Sequence, residues 1–198
     1  MKKIISLLLS LTVLLSLFGC TFVEPEEKTE EFLSAIKTGN KDILMGYADN
    51  EYINMLVNSS GDEESLNKIY TNLFKNFSYK IISTSIDEKT ENAIIKVEIT
   101  NVSFKNVLKN YEKESYDYIV ENLYSSSKTK KSNLNKECLK IFANEIEDAA
   151  KSTKTTKQTV EIKLTKNGNY SYDLTIDDTL MNALTGDLIN SIKNKRHF

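Results

Sequence analysis

The chain has 198 residues, of which 40% are hydrophobic, and its 26 basic and 28 acidic side chains give a net charge of −2. This composition is typical of a folded domain and excludes a disordered polar chain. A slightly acidic chain lacks the cationic face on which nucleic-acid binding depends, so we expect no nucleic-acid partner.

The N-terminus has the pattern of a secretory signal peptide. Lys2 and Lys3 precede an uncharged, apolar run of about 16 residues, which is shorter than the roughly 20 residues that span a bilayer as a helix. Residues 1–19 are therefore predicted to be a signal peptide. The run ends in the sequence Leu17, Phe18, Gly19, Cys20.

This last stretch resembles the lipobox of bacterial lipoproteins, although Phe18 stands where a smaller residue is usual. The resemblance implies that a diacylglyceryl group is attached to the thiol of Cys20 and that the signal peptidase cleaves between Gly19 and Cys20. Two or three acyl chains bind firmly, at about 0.8 kcal/mol per buried methylene. The resemblance thus implies a lipid-anchored protein on the extracytoplasmic face of the cell membrane.

A short tether, residues 20–24, separates the predicted anchor from the first predicted helix, which runs from Pro25 to Thr38. Proline suits the first turn of a helix, and Gly39 follows its end. A second helical region is predicted from Lys41 to Val57, with a break at the sequence ADNE.

A third helix is predicted where Ser60 and Glu63 have the spacing of a capping box. The apolar residues that follow lie on one helical face. They are Leu66, Ile69, Tyr70, Leu73, Phe74 and Phe77.

Beyond Phe77 the apolar period changes from 3.6 to 2, which predicts strands. YKIISTSI and ENAIIKVEITNVSF predict a first hairpin, and QTVEIKLTKNGNYSYDLTI predicts a second that turns at Asn167 and Gly168. The acids Glu98, Glu161 and Asp173 alternate onto the face expected to be solvated. The residues expected to face the helices are Ala93, Ile95, Val97, Ile99, Val160, Ile162 and Leu164.

Residues 105–153, between the two hairpins, have a helical pattern on both sides of the polar turn SSSKTKKSN, which predicts a helical hairpin. A last helix is predicted from about Asp178 to Ile192. Cys138 occupies an apolar position of the second long helix, and with Cys20 lipidated it has no disulfide partner. We therefore expect Cys138 to be a small core residue.

These elements predict a single α+β domain over residues 25–198, with helices on an antiparallel sheet of about four strands. Their order, together with TEEFLSAIKTGN and AIIKVEITNVSF, is similar to the NTF2-like (cystatin-like) domains of small lipoproteins from low-GC Gram-positive bacteria. The resemblance implies N-terminal helices packed on a curved sheet, with residues 105–153 inserted between the strand pairs. It also implies that the interior is either an open pocket or a filled core.

The sequence contains no recognisable catalytic, metal or cofactor constellation. The single histidine, His197, lies next to the C-terminus, so the residues supply neither a cysteine–histidine pair nor a zinc site. No phosphate-binding loop or nucleophile elbow occurs. Tyr170 and Tyr172 either line an apolar pocket or pack as core aromatics.

Three hypotheses about function follow. The first is a non-catalytic module of the cell envelope, anchored to the membrane through Cys20, that binds a small ligand or an envelope protein. The second is an NTF2-like enzyme that acts on a small apolar or envelope-derived substrate. The third is a structural role in envelope or spore-layer assembly, which the sequence does not separate from the first.

Overall fold

Four antiparallel strands form one open sheet, and helices pack against one of its faces. The computed structural model describes residues 23–123, 128–168 and 171–195. Within those ranges, no helix combines the length and the apolar character needed to cross a membrane. The predicted class, helices on an antiparallel sheet of about four strands, is confirmed.

Helices precede the sheet, as predicted. The break predicted at ADNE separates the second from the third, and the side-chain oxygen of Asn50 accepts a hydrogen bond from the amide of Tyr52 at 3.1 Å. The first helix ends at Thr38, and the next residue, Gly39, has a φ of 69°, the left-handed conformation that favours glycine. The helices are α1 (Pro25–Thr38), α2 (Lys41–Met45), α3 (Glu51–Asn58) and α4 (Glu63–Phe74).

The start of α4 differs from the prediction. The capping box expected for Ser60 and Glu63 is wrong, because Asp62 is the residue that caps the helix. Its carboxylate accepts hydrogen bonds from the amide of Ser65 at 3.2 Å and from the hydroxyl of Ser65 at 2.8 Å. Asp62 stands directly before the first helical residue, where a side-chain oxygen reaches the free amides of the first turn.

The four strands follow the chain order β1-β2-β3-β4, and every neighbouring pair is antiparallel. The predicted hairpins are confirmed, and the residues expected to face the helices are buried. On the opposite face, Lys157 pairs with Glu98 at 2.9 Å and Lys96 pairs with Glu161 at 3.5 Å. The strands are β1 (Ser78–Ile86), β2 (Ala93–Val102), β3 (Thr155–Asn167) and β4 (Ser171–Leu174).

Two long helices, α5 (Val107–Leu123) and α6 (Lys128–Ala150), lie between β2 and β3 in the chain. They pack against each other, and the rings of Tyr111 and Phe142 meet edge to face with centroids 5.4 Å apart. Helix α6 begins at Lys128, within the segment predicted as a polar turn.

The half-buried position of Cys138 overturns the expectation that it is a core residue. It lies in the N-terminal half of α6, where the helix packs on α5. The buried apolar residues of α6 that the structure describes, Ala143, Ile146 and Ala150, all lie in the other half. The apolar stripe of a helix does not reveal which part of the helix reaches the core.

The last predicted helix is in fact two, α7 (Asp178–Leu184) and α8 (Leu188–Lys195). Between them Gly186 and Asp187 have φ angles of 52° and 71°, which end the first helix. The carbonyl oxygen of Gly186 accepts a hydrogen bond from the amide of Phe104 at 2.7 Å. The break therefore fastens the end of the chain to the segment that follows β2.

Candidate binding site

The space between the sheet and the helices is filled by side chains. From the helices, Phe32 and Ile36 are fully buried there, and from the sheet Ile95, Val97 and Ile162 are at most 1% exposed. Two cavities lie elsewhere in the described part of the chain, one within the helical layer and one beside β4.

An apolar groove of about 790 Å³ opens among the helices. Helices α3 and α4 supply most of its lining, and α6 and α8 complete it. We define the apolar groove by the apolar side chains that line it, which are Leu44, Met55, Leu56, Val57, Leu66, Ile69, Tyr70, Leu139, Phe142, Leu188 and Ile192.

Most of these side chains are only half-buried, because the surface they leave uncovered faces the groove. The charged groups at the groove are Lys41 and Glu63, and both side chains are exposed. The hydroxyl of Tyr70 donates a hydrogen bond to the carbonyl of Ile36 at 2.6 Å. Burial raises the pKa of Tyr70 to about 12, so this phenol is neutral. The groove thus offers apolar contact with few polar groups.

Polar contacts between α4 and α6 hold two walls of the groove together. Lys68 pairs with Glu147 at 2.6 Å and donates a hydrogen bond to Asn144 at 2.9 Å. Lys136 pairs with Asp62 at 2.9 Å, and its hydrogen bond holds the pKa of that aspartate below its usual range. Exposed ion pairs contribute little stability individually, and here they link two walls of the groove.

A second, polar cleft of about 550 Å³ lies between α1, the segment that joins α2 to α3, and β4. Lys28 and Glu31 form an ion pair there at 2.8 Å, and the Lys28 ammonium lies 5.3 Å from the centre of the Tyr47 ring. The cleft is also lined by Asp49 and Asp173.

Two groups in the polar cleft have shifted pKa values. Burial raises the pKa of Tyr47, and Lys28 opposes that shift. Burial by itself would lower the pKa of Lys28, but Glu31 and Tyr47 stabilise the ammonium and the net shift is upward. The phenol therefore stays protonated and the lysine stays charged, so these two groups offer proton donors.

The sequence-predicted site residues are placed as follows. Gly19 and Cys20 lie outside the described residues, as does Tyr170. Tyr172 is 4% exposed and stands where the core meets the polar cleft. Tyr172 does not line the apolar groove.

Sequence reasoning missed the groove. Met55 and Leu139 line it, and neither is among the site residues predicted from the sequence. A signal was present in α6, where Leu139 adjoins Cys138 and widens the apolar face beyond what one neighbouring helix covers. The extra width of this apolar face indicates that α6 has a second apolar contact, but it does not identify what makes that contact.

Comparison with known proteins gives one family and one distant structural relative. The family described as a domain of unknown function, DUF5105, matches residues 25–189. The crystal structure of a candidate lipoprotein, ycdA from Bacillus subtilis, is 22% identical, with a TM-score of 0.41. The match covers 77% of this chain and 44% of that one, so the chain spans less than half of that protein's length. No curated protein matches the chain.

Proposed function

This chain belongs to the DUF5105 family, a domain of unknown function, and from that premise we propose that it is an extracytoplasmic lipoprotein anchored to the cell membrane, whose domain binds a small apolar ligand without catalysing a reaction. The apolar groove is the observation that carries the binding role. The lipobox resemblance at Cys20 carries the anchoring role.

The anchor places the domain close to the bilayer. Residues 20–24 separate the lipidated cysteine from Pro25, the first residue of α1, and five extended residues reach only about 17 Å. Helix α1 then extends away from that point for 14 residues, or about 21 Å at 1.5 Å per residue. Because Gly39 at its far end lines the apolar groove, the ligand site lies a helix length from the start of the domain.

Replacement of Cys20 by serine is expected to abolish membrane anchoring. The thiol is the only atom of this segment that accepts the thioether-linked lipid, and an unlipidated domain has no acyl chain to bury in the bilayer. In cells fed radiolabelled palmitate, the wild-type protein should carry label and fractionate with membranes, whereas Cys20→Ser should do neither. Cys138→Ser is the matched control and should behave as wild type. Label retained in Cys20→Ser would refute the anchor.

The dimensions and chemistry of the apolar groove support a small apolar ligand. Its volume of about 790 Å³ lies within the 300–1,000 Å³ typical of small-molecule sites. Such sites are lined mainly by hydrophobic side chains with a few polar groups to orient the ligand, and here Lys41 and Glu63 stand beside the apolar lining. The filled interior leaves no comparable apolar space between sheet and helices among the described residues.

A charge placed in the groove is expected to weaken ligand binding at least tenfold. Met55 is 55% exposed and lines the groove, and Met45 is 51% exposed and does not. In Met55→Glu a ligand must cover a carboxylate, and the desolvation of that carboxylate opposes binding. Titration of residues 21–198 with a fluorescent apolar probe measures the effect, and Met45→Glu is the matched control.

Native mass spectrometry identifies the natural ligand class. Residues 21–198 purified gently from the parent cells should carry one additional small mass, absent from Met55→Glu and present in Met45→Glu. Equal loss of probe affinity in both variants, or a bare wild-type chain that also fails to bind the probe, would count against the groove as a ligand site. That result would favour a protein-interaction or structural role in the envelope.

We further propose that the domain follows the NTF2-like (cystatin-like) plan, with α5 and α6 as a helical hairpin inserted between the strand pairs. The order of elements supports it: α1 to α4 come first, then two strands, then α5 and α6, then two strands. The closing helices α7 and α8 are additions to that plan.

The alternative function is an NTF2-like enzyme, and one observation favours it. Tyr47 is half-buried in the solvent-open polar cleft beside the charged Lys28, an arrangement that supplies a general acid. If the cleft were catalytic, Tyr47→Phe would abolish turnover of an envelope-derived substrate and leave probe binding in the apolar groove unchanged.

A further inference from the structure

A small cavity adjoins the apolar groove and differs from it in charge. It has a volume of about 290 Å³ and lies where α1 and α4 end. Of its described lining, two residues are basic and none is acidic, so we call it the basic cleft. Its lining is Lys37, Thr38, Gly39, Tyr70, Thr71, Phe74 and Lys75.

The basic cleft and the apolar groove share a boundary. Gly39, Tyr70 and Thr71 line both cavities. Lys41, two residues beyond Gly39, is the one basic residue that the described chain contributes to the groove lining. Three lysines, one from the groove and two from the cleft, therefore lie close to the place where the cavities meet.

These three lysines are exposed and have no acidic partner in the described part of the chain. Lys37 lies in the last turn of α1 and Lys75 directly follows α4, and the helix dipole favours a basic residue at both positions. The carbonyl of Ile36 in the last turn of α1 is nonetheless bonded to the hydroxyl of Tyr70, at 2.6 Å. The lysine ammonium groups are thus available to an anion from solution.

The charged residues at the two cavities are separated along α4. Glu63, the acidic residue of the described groove lining, is the first residue of α4, and Lys75 follows the last. The 12 residues of α4 span about 18 Å at 1.5 Å per residue. Leu66, Ile69 and Tyr70 line the groove between these ends. An elongated ligand with one charged end would therefore bind in one direction.

We propose that the apolar groove and the basic cleft together bind a single-chain amphiphile with an anionic head group, such as an ionised fatty acid. The hydrocarbon chain lies in the groove, where burial of its methylene groups supplies most of the affinity. The head group lies at the basic cleft, where the lysines attract it and the hydroxyl of Thr71 lies beside it. This amphiphile is the small apolar ligand of the proposed function, on which the assignment rests.

Displacement of Nile red from residues 21–198 tests the preference for an anionic head group. These residues include every helix and strand described above, and without the lipid anchor they need no detergent, which would compete for the groove. Dodecanoate and dodecyltrimethylammonium carry apolar chains of similar length and opposite charges. Dodecanoate should displace Nile red at a concentration about tenfold lower, because the lysines attract one ligand and repel the other. Added salt should reduce this difference, since it screens exposed charges.

A double variant attributes the preference to the basic cleft. Lys37→Gln/Lys75→Gln should bind dodecanoate about fivefold more weakly than wild type and should bind uncharged 1-dodecanol equally well. Lys109→Gln/Lys154→Gln is the matched control, because it removes the same charge from exposed lysines that line neither cavity. This control should bind dodecanoate as wild type does.

The outcomes distinguish this assignment from the proposed function. Equal displacement of bound Nile red by dodecanoate and by dodecyltrimethylammonium would overturn the assignment and leave the binding role of the groove intact. A preference for dodecanoate that persists undiminished in Lys37→Gln/Lys75→Gln would also overturn it. A wild-type domain that binds no Nile red would contradict the groove itself as a ligand site, and the assignment would fail with it.

Discussion

Replacing Gly186 with alanine is expected to lower the free energy of unfolding by about 3–5 kcal/mol. The φ of 52° at this position places an alanine in the left-handed region, which costs about 1–2 kcal/mol. The new Cβ would also lie 1.9 Å from the carbonyl oxygen of Val102. Main-chain atoms cannot step aside as a flexible side chain would, so the turn must move and strain the surrounding packing, typically by a further 1–3 kcal/mol.

The shift of the turn in Gly186→Ala also weakens a hydrogen bond there. Phe104 donates its amide hydrogen to the Gly186 carbonyl at 2.7 Å, and its side chain is fully buried. Displacing the turn lengthens that bond and leaves a buried donor poorly paired. Urea unfolding of residues 21–198 measures the loss.

Gly168→Ala is the matched control for this prediction. Gly168 also has a positive φ, 64°, but a Cβ there would meet nothing within 4 Å. Its replacement should cost only the backbone strain of about 1–2 kcal/mol. Equal losses in the two variants would show that the close approach to Val102 does not matter.

Replacing Asn101 with leucine is expected to lower the free energy of unfolding by about 2–4 kcal/mol. Asn101 is 1% exposed at the end of β2, and its amide group donates to the carbonyls of Leu73 at 3.0 Å and Leu184 at 2.7 Å. Its side-chain oxygen accepts from the amide of Val102 at 2.8 Å. Leucine has a similar volume but leaves these buried main-chain groups without partners, and each unpaired group costs about 1–3 kcal/mol.

Asn101 thereby joins three elements through one side chain, because Leu73 belongs to α4 and Leu184 ends α7. Chemical denaturation of Asn101→Leu measures the loss of stability, and Thr100→Val is the matched control. Thr100 is the preceding residue of β2, half-buried on the opposite face, and its replacement should change stability by less than about 0.5 kcal/mol. A loss in Asn101→Leu no larger than that would contradict the bridging role.

Much of the secondary structure could be predicted because local signals agree with the tertiary environment. In α1, proline at the first position and glycine beyond the last mark both ends. In β2 and β3 the period of two identifies the buried face. Asn101 falls on that same buried face by alternation, so the sequence contained the signal for a polar core residue but not the identity of its partners.

Two of the errors, at the last helix and at Cys138, share one physical cause. The break between α7 and α8 depends on the close approach of Val102 to Gly186, a contact between residues far apart in the chain. Cys138 lies outside the core because only the C-terminal half of α6 reaches the buried interior. Periodicity reports that a face is apolar, and it does not report what covers that face.

The candidate sites also differ in how far the sequence alone predicts them. Residues of a signal peptide act as a linear segment, so the anchoring hypothesis at Cys20 arises from the sequence without any fold. By itself the sequence also determined the order of helices and strands and the inner face of the sheet, because these depend on periods and caps within single segments. Only the tertiary structure decided that the interior is filled and that the walls of the apolar groove come from α3, α4, α6 and α8. Each of these depends on which distant elements meet, and local propensity does not encode that.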